Sequence, residues 1–207
     1  MKTKICGITT KSALETAILH GADFVGFVFF DKSKRNISIE NAKELAKIIP
    51  ENIKKVGVFV DEPIENLKKI AKEIPLDIVQ LHGNESHEYL ENCRGEVCPL
   101  NFEVIKVIRV EDGEFLQNPD DFPDVLLMLD AKTSGGGEKF DWQKIDFDKL
   151  KGRKFFVAGG LNPENVRDAI EYFKPFAVDV SSGVETNEQK DNEKICDFLK
   201  QTKKLQH

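Results

Sequence analysis

A chain of 207 residues, 40% hydrophobic and 32% charged, has the composition of an ordinary globular protein and the length of one domain. The formal net charge of -6, with acidic and basic residues interspersed, argues against a nucleic-acid-binding surface. No apolar stretch approaches the roughly 20 residues that span a bilayer, and no signal-peptide pattern is present. The four cysteines, at positions 6, 93, 98 and 196, have neither metal-ligand spacing nor the density of a disulfide framework. We therefore expect a reduced, cytoplasmic protein with no membrane, metal or nucleic-acid partner.

Short apolar segments recur along the chain, and most are followed by a segment with helical periodicity. Eight strands are predicted: KTKIC at 2–6, FVGFVF at 24–29, KVGVFV at 55–60, DIVQL at 77–81, EVIKVI at 103–108, VLLMLD at 125–130, KFFVAG at 154–159 and FAVDV at 176–180. Continuous apolar runs are typical of strands whose two faces are both covered, as in a parallel sheet. Connections of this length also favour parallel pairing.

The segments between the strands carry helix signals. Gly21 is a stop signal after the first helical pattern, Ser38 is a plausible N-cap of the second, and Pro63 suits the first turn of the third. Further helices are predicted in SHEYLENC, DWQKIDFDKL, NPENVRDAIEYF and NEKICDFLKQTKKL, whereas the segment at 111–121 is weak and polar. Eight such units predict an α/β fold, a single (βα)8 TIM barrel over residues 1–207 with a closed parallel eight-stranded sheet. The alternative, a doubly wound open sheet, needs only five or six units.

In such a barrel the loops that follow the strands form the active site. Reading each strand end in turn gives one set of candidate residues: Cys6 with Gly7, Arg35 in DKSKR, His82 with Gly83, Asp130, Gly159 with Gly160, and the segment from Asp179 to Gly183. A thiol, a guanidinium, an imidazole, two carboxylates and two turns rich in glycine or serine would thus share one rim. The sequence therefore predicts a site at this end of the barrel.

Glycine and serine residues follow the last two strands, in VAGGLNPENV and VDVSSGVE. Backbone N–H groups at Gly159 and Gly160 can approach an anion closely, and the hydroxyls of Ser181 and Ser182 add donors. Barrels commonly bind phosphate in these two loops. One glycine pair alone would more often mark a simple turn, but two consecutive turns favour a phosphorylated small-molecule substrate.

Taken singly, the other strand-end residues also have ordinary structural explanations. Asp130 would be partly desolvated and able to hold a proton, or else a helix cap or salt-bridged residue. Cys6 can act as a base only beside a cation or dipole, and a small buried side chain is the commoner role of a cysteine. The fork of Arg35 suits a substrate carboxylate, but a loop arginine is usually solvent-exposed. His82 could transfer a proton, orient a ligand or simply be hydrogen-bonded at the rim.

Considered together, the motifs resemble a known family. The motifs that carry the resemblance are, in order, KICGIT, GADFVGFVFFDKSKRNIS, VGVFV, VQLHGNE, LLMLD, FDW, GGLNPENV and PFAVDVSSGVE. The chain is similar to phosphoribosylanthranilate isomerase of tryptophan biosynthesis from Lys4 to about Glu185. The resemblance implies a TIM barrel that performs an Amadori rearrangement, without cofactor or metal, of N-(5-phosphoribosyl)anthranilate to an aminoketose. A monomer or homodimer with a small phosphorylated substrate is the state that we expect.

The resemblance also implies a role for each strand-end residue. Cys6 would be the general base, Asp130 the general acid, and Arg35 the ligand of the anthranilate carboxylate. The other positions that it assigns are the phosphate site at Gly159, Gly160, Ser182 and Gly183 with Ser181 adjoining, and the pocket lining at His82 and Asp179.

One segment departs from the family pattern. After the sixth strand, TSGGGEKFDW lacks the hydroxyl that usually follows the glycine pair and inserts Glu138, so the substrate contact of this loop is expected to change.

Two rival activities lack their expected residues. Indoleglycerol-phosphate synthase would place a catalytic lysine at a strand end, and the aminoaldose isomerase of histidine synthesis would have aspartate in place of Cys6. A non-catalytic phosphate-binding barrel is the alternative of a different class, against which Cys6, Asp130 and Arg35 together argue.

Overall fold

A closed ring of eight parallel strands forms the centre of the molecule. The computed structural model describes residues 1–94, 103–111, 113–131, 145, 147–150 and 152–203. The strands are β1 (Lys2–Cys6), β2 (Phe24–Phe29), β3 (Lys54–Phe59), β4 (Ile78–Leu81), β5 (Glu103–Glu111), β6 (Leu126–Ala131), β7 (Phe155–Ala158) and β8 (Ala177–Val180). Each strand pairs in parallel with the next, and β8 pairs with β1, which closes the sheet. The predicted barrel is confirmed, and the open-sheet alternative is excluded.

Helices pack around the outside of this ring: α1 (Lys11–Leu19), α2 (Ile39–Ala46), α3 (Ile64–Glu73), α4 (His87–Arg94), α5 (Val166–Phe173) and α6 (Asn192–Lys203). The predicted end signals act as expected in α1 and α2. Gly21 follows α1 with a φ of 78°, and the Ser38 hydroxyl accepts a hydrogen bond from the N–H of Asn41 at the start of α2. Pro63 stands one residue before α3, at the N-cap position, rather than inside its first turn. None of the helices in the described ranges is both long and apolar enough to cross a membrane.

Two of the eight connections depart from the regular strand-helix pattern. After β5 the chain forms a short antiparallel strand, Glu114–Phe115, and a single 3₁₀ turn, Pro119–Asp121, in place of a helix. The tight turn at Gly113, with a φ of 88°, and the polar sequence explain why no helix forms in 113–121. After β6, most of DWQKIDFDKL lies outside the described residues. Its last four residues, Phe147–Leu150, form a 3₁₀ turn, so the predicted helix is wrong there.

The barrel interior is packed in layers, and the uppermost layer contains Cys6. Lower layers consist of large apolar side chains such as Phe24, Ile105, Met128 and Phe156. Cys6, Val28 and Val58 form a separate cluster above them. Because side chains alternate along a strand, Lys4 and Cys6 lie on the same, inward face of β1. The fold therefore places the Cys6 thiol at the mouth of the barrel, with Lys4 one layer below.

A buried ion pair outside the strand ring supports the loop after β4. Lys106 and Glu85 are both buried, and the Lys106 ammonium donates to Glu85 Oε2 at 2.7 Å and to the Gly83 carbonyl at 2.8 Å. Glu85 also accepts the backbone N–H groups of Gly83 and Asp61. Four hydrogen bonds from two loops and one strand thus converge on this short segment, which carries His82.

Candidate active site

A cavity of about 450 Å³ opens at the carboxyl ends of the strands. Most residues predicted from the strand ends line it: Cys6, Arg35, His82, Asp130, Gly159, Gly160, Asp179, Ser181 and Ser182. The predicted residues Gly7, Gly83 and Gly183 do not. Apolar side chains that include Val28, Phe30, Val58 and Leu161 complete its wall. The cavity therefore combines an apolar wall with a few converging polar groups, as small-molecule sites generally do.

The turns after β7 and β8 form one side of the cavity. Gly159 and Gly160 have φ values of 86° and 67°, and a side-chain carbon added to Gly160 would meet no atom within 4 Å. The same addition at Gly183 would collide with the Leu161 carbonyl, so glycine is needed there for the two turns to pack together. Gly183 thus shapes this part of the site from beside the cavity, whereas Gly160 borders open space that an anion can enter.

Lys4 lies directly beneath Cys6 and was not predicted as a site residue. Its side chain is fully buried, and its ammonium donates to Asp179 Oδ1 at 2.8 Å. Gly26 on the neighbouring strand makes room for both groups, since a side-chain carbon there would lie 2.9 Å from Cys6 Sγ and 3.3 Å from Lys4 Nζ. A lysine within a buried apolar strand, two residues before a candidate base, was the available signal.

Burial and charge have opposing effects on the Cys6 thiol. Burial raises the pKa of Cys6, the positive charge of Lys4 opposes that effect, and the carboxylate of Asp179 adds to it, which leaves the pKa above its ordinary value. For Lys4, burial alone would lower the pKa, but Asp179 and Cys6 outweigh it and the pKa is raised. Lys4 therefore remains a cation while Cys6 titrates.

Arg35 is anchored by a carboxylate that was also not predicted. Its Nε and Nη2 donate to the two carboxylate oxygens of Glu185 at 2.7 Å each, which occupies one edge of the guanidinium. This leaves Nη1 and the second hydrogen of Nη2, the end of the fork, for a ligand. Gly7, with a φ of 75°, lets the Arg35 stem pass, because a side-chain carbon there would lie 2.7 Å from Arg35 Cδ.

Lys190 is the third member of this group. Its buried ammonium pairs with Glu185 and donates to the Ser181 carbonyl at 3.0 Å. Burial alone would raise the pKa of Glu185, but the hydrogen bonds from Arg35 and Lys190 outweigh it and hold the pKa below its ordinary value. Glu185 therefore stays ionised into mildly acidic solution and keeps Arg35 in place. It ends the DVSSGVE motif, which was the signal in the sequence, whereas nothing pointed to Lys190.

On the opposite side of the cavity, His82 contacts Asp130. His82 Nε2 lies 3.1 Å from Asp130 Oδ2, and the Gln80 side-chain amide lies 3.4 Å from His82 Nδ1. With the Gln80 nitrogen as donor, Nδ1 is the acceptor and Nε2 carries the hydrogen that Asp130 accepts. Because His82 occupies Oδ2, the other carboxyl oxygen of Asp130 is the one that can exchange a proton with a ligand.

The described residues hold no cluster of three or more His, Cys, Asp or Glu side chains that could bind a metal ion. The segment TSGGGEKFDW, in which the loop contact was expected to change, lies outside those ranges. The reactive groups described in the cavity are a thiol with a cation nearby, a carboxyl group next to an imidazole, and an anchored guanidinium.

Residues 3–201 match the family model described as N-(5'-phosphoribosyl)anthranilate (PRA) isomerase. The N-(5'-phosphoribosyl)anthranilate isomerase of Listeria monocytogenes serotype 4b is 48% identical over 207 residues, which cover 98% of each chain. Among solved structures, the monomers generated from the dimeric phosphoribosylanthranilate isomerase of Thermotoga maritima have a TM-score of 0.83 and 38% identity. That match covers 99% of this chain and 100% of the other.

A second solved structure is that of a phosphoribosylanthranilate isomerase in complex with reduced 1-(o-carboxyphenylamino)-1-deoxyribulose 5-phosphate. It has a TM-score of 0.79 and 36% identity, and the match covers 99% of this chain and 100% of the other. The sequence and structure comparisons thus point to the same family over essentially the whole chain.

Proposed function

The chain belongs to the N-(5'-phosphoribosyl)anthranilate isomerase family, and from this premise we propose how its strand-end cavity carries out the reaction. It is an isomerase of tryptophan biosynthesis that converts the aminoaldose N-(5'-phosphoribosyl)anthranilate into the aminoketose 1-(2-carboxyphenylamino)-1-deoxyribulose 5-phosphate. Cys6 is the general base and Asp130 the general acid. Arg35 binds the anthranilate carboxylate, and the turns after β7 and β8 bind the phosphate.

The observation that carries these roles is that Cys6 and Asp130 line the same cavity from different sides of the barrel. Cys6 ends β1 and Asp130 lies in β6, with β7 and β8 between them on one side of the ring and β2 to β5 on the other. A sugar bound in the mouth can therefore meet a base and an acid at the same time. General acid and base catalysis requires this proximity.

Asp130 acts first, in the opening of the ribose ring. The ring oxygen must gain a proton as its bond to C1 breaks and the anilino nitrogen forms an iminium ion. Asp130 is 7% exposed, and its Oδ2 accepts from His82, so the carboxyl group is held at a fixed angle to the cavity. The proton on its other oxygen is the one that the ring oxygen receives.

Cys6 acts second, on the open-chain iminium. The positive iminium makes the hydrogen on C2 of the sugar acidic, and the Cys6 thiolate removes that proton to give an enolamine. Tautomerisation of the enolamine gives the ketone of the product. Asp130 gives one proton and Cys6 takes one, so the protons balance. C2 is oxidised as C1 is reduced, so no external electron acceptor is needed.

The carboxylate and the phosphate, at opposite ends of the substrate, together fix its orientation in the cavity. The carboxylate meets the free end of the Arg35 fork, which Glu185 fixes by two hydrogen bonds. The phosphate meets the N–H groups and hydroxyls of Gly159, Gly160, Ser181 and Ser182, with Gly183 shaping the turn. Anchoring at both ends holds C1 and C2 between the thiol and the carboxyl group.

Turnover of the substrate tests this function. The purified protein, given phosphoribosylanthranilate that is formed in situ, is expected to remove the substrate's anthranilate-type fluorescence faster than spontaneous decay, with the aminoketose identified by mass. The Cys6→Ser/Asp130→Asn double variant is the control for binding without chemistry. Binding of the substrate with no turnover would instead support the non-catalytic phosphate-binding barrel.

Substitution of Glu185 by glutamine is expected to weaken substrate binding more than turnover. The amide can accept only one of the two Arg35 hydrogen bonds, so the fork loses its fixed angle. Because the carboxylate contact is present in both ground and transition states, KM should rise about tenfold with kcat nearly unchanged.

Glu188→Gln is the matched control for this prediction. Glu188 lies three residues further along, and its exposed side chain pairs with Lys34 outside the cavity. Its kinetics are expected to stay at the wild-type values. A fall in kcat at constant KM in Glu185→Gln, or an equal rise in KM in Glu188→Gln, would contradict the proposed anchor.

The cellular setting follows from the chemistry of the thiol. A general base at Cys6 must stay reduced, which favours the cytoplasm. A monomer or a homodimer is compatible with the cavity, because all the residues named above as site residues belong to one chain.

A further inference from the structure

Lys4 is one of two lysines in the described ranges whose side chains are fully buried. The other, Lys106, directs its ammonium to Glu85 and to the Gly83 carbonyl, and this explains its burial by a structural role. Lys4 has one carboxylate partner, Asp179, and its ammonium borders the same small space beside Gly26 as the Cys6 sulfur. Burying an ammonium is costly, so its placement under the candidate base calls for a reason beyond packing.

The backbone around Cys6 holds the thiol against this ammonium. The carbonyl of Gly26 on β2 accepts the N–H groups of Gly7 at 2.9 Å and Ile8 at 3.0 Å, which fixes the end of β1. The missing side chain of Gly26 leaves space that the sulfur and Lys4 Nζ share. The sulfur and the ammonium therefore border one space that no Gly26 side chain fills.

The charges around Cys6 come from three further elements as well as from β1. Asp179 lies on β8, Lys190 on the hairpin that follows β8, and Arg35 on the loop after β2. Glu185 pairs with both Arg35 and Lys190. Three cations thus face two carboxylates, so one negative charge on Cys6 makes this described group neutral.

We propose that Lys4 is a positioning residue for the general base: its buried ammonium, held by Asp179, stabilises the Cys6 thiolate and fixes the sulfur toward the substrate. The inference rests on the proposed role of Cys6. Lys190 and Arg35 contribute positive charge but both pair with Glu185, whereas the ammonium of Lys4 borders the space beside Gly26 that the Cys6 sulfur also borders. Asp179 keeps Lys4 charged and in place.

The reactivity of the Cys6 thiol tests this proposal without any need for turnover. The rate of alkylation by iodoacetamide at one mildly alkaline pH is measured on the Cys6 peptide by mass spectrometry, for wild type and Lys4→Met. The partly exposed Cys196 of the same molecule is the internal standard.

Loss of a neighbouring cation raises the pKa of a thiol by about 1–3. The thiolate fraction then falls by about 10–10³-fold, and the greater nucleophilicity of the more basic thiolate offsets about half of this on a logarithmic scale. Lys4→Met is therefore expected to slow alkylation of Cys6 by about 3–30-fold, with Cys196 unchanged.

Lys106→Met is the matched control, because it removes the other fully buried ammonium and has no contact with Cys6. It should leave the alkylation of Cys6 unchanged. If Lys4→Met does not fold, Lys4→Met/Asp179→Asn removes both buried charges together and is expected to slow alkylation of Cys6 in the same direction, by a smaller factor.

Alkylation at the wild-type rate in the folded Lys4 variant, or an equal slowing in Lys106→Met, would overturn the proposal. These outcomes differ from failure of the proposed function. If the wild-type protein did not turn over phosphoribosylanthranilate, the effect of Lys4 on the thiol would still be measured.

Discussion

Replacement of Cys6 by serine is expected to lower kcat by about 10²–10⁴-fold, the range that a general base contributes. The hydroxyl is nearly the same size as the thiol but is far less acidic, so it supplies almost no anion to remove the proton from C2. KM should change little, because Cys6 contributes to chemistry rather than to either anchored end of the substrate. Steady-state kinetics on phosphoribosylanthranilate, with the fold checked by circular dichroism, measure the change.

Cys196→Ser is the control for cysteine loss as such, since Cys196 lies on α6 away from the cavity. It should retain wild-type kinetics. A Cys6→Ser enzyme with near-normal kcat would show that another group removes the C2 proton.

The pH dependence of the wild-type enzyme follows from the same residue. Burial raises the pKa of Cys6, and only the deprotonated thiol can act as the base, so kcat/KM should rise as pH increases from neutral into the alkaline range. In Cys6→Ser this rising limb should be absent.

Replacement of Asp130 by asparagine is expected to lower kcat by a similar factor, about 10²–10⁴-fold. The amide has the shape of the carboxyl group, and its oxygen can still accept the hydrogen of His82, so the local structure should persist. What it lacks is an acidic proton for the ribose oxygen, and ring opening therefore becomes limiting.

Asp197→Asn, at an exposed position on α6, is the matched control and should be kinetically silent. In the Cys6→Ser/Asp130→Asn double variant, the two losses should combine to less than their product, because each group is useless without the other's step. Normal turnover in Asp130→Asn would assign the acid role elsewhere.

The strands and their ends could be predicted because they depend on local pattern. β1 and β2 have the predicted bounds, 2–6 and 24–29, and Gly7 after β1 and the polar segment DKSKR beyond Phe30 mark their mouth ends. The connection after β5 could not be assigned in this way, because its local pattern is polar and a polar segment can form either a hairpin or a loop. Chain order then places the strand ends together without further information.

The pairing of charges at the site could not be predicted from local pattern. Lys4 and Asp179 are 175 residues apart, and Arg35 and Glu185 are 150 apart, and they meet only because β8 closes on β1. In the sequence, Lys4 reads as a charge that flanks a short apolar patch. Its burial on the inward face of β1, where we propose that it stabilises the Cys6 thiolate, emerges only when the ring is closed.

We expect the substrate to lie across the barrel mouth with its C2 between Cys6 and Asp130. A crystal structure of the protein with reduced 1-(2-carboxyphenylamino)-1-deoxyribulose 5-phosphate measures this directly. Cys6 Sγ is expected within about 4 Å of C2, with the Asp130 carboxyl on the opposite side. The carboxylate is expected on Arg35, and the phosphate on the turns at Gly159, Gly160 and Ser182. An analogue bound in the reverse direction, or with C2 out of reach of Cys6, would contradict this arrangement.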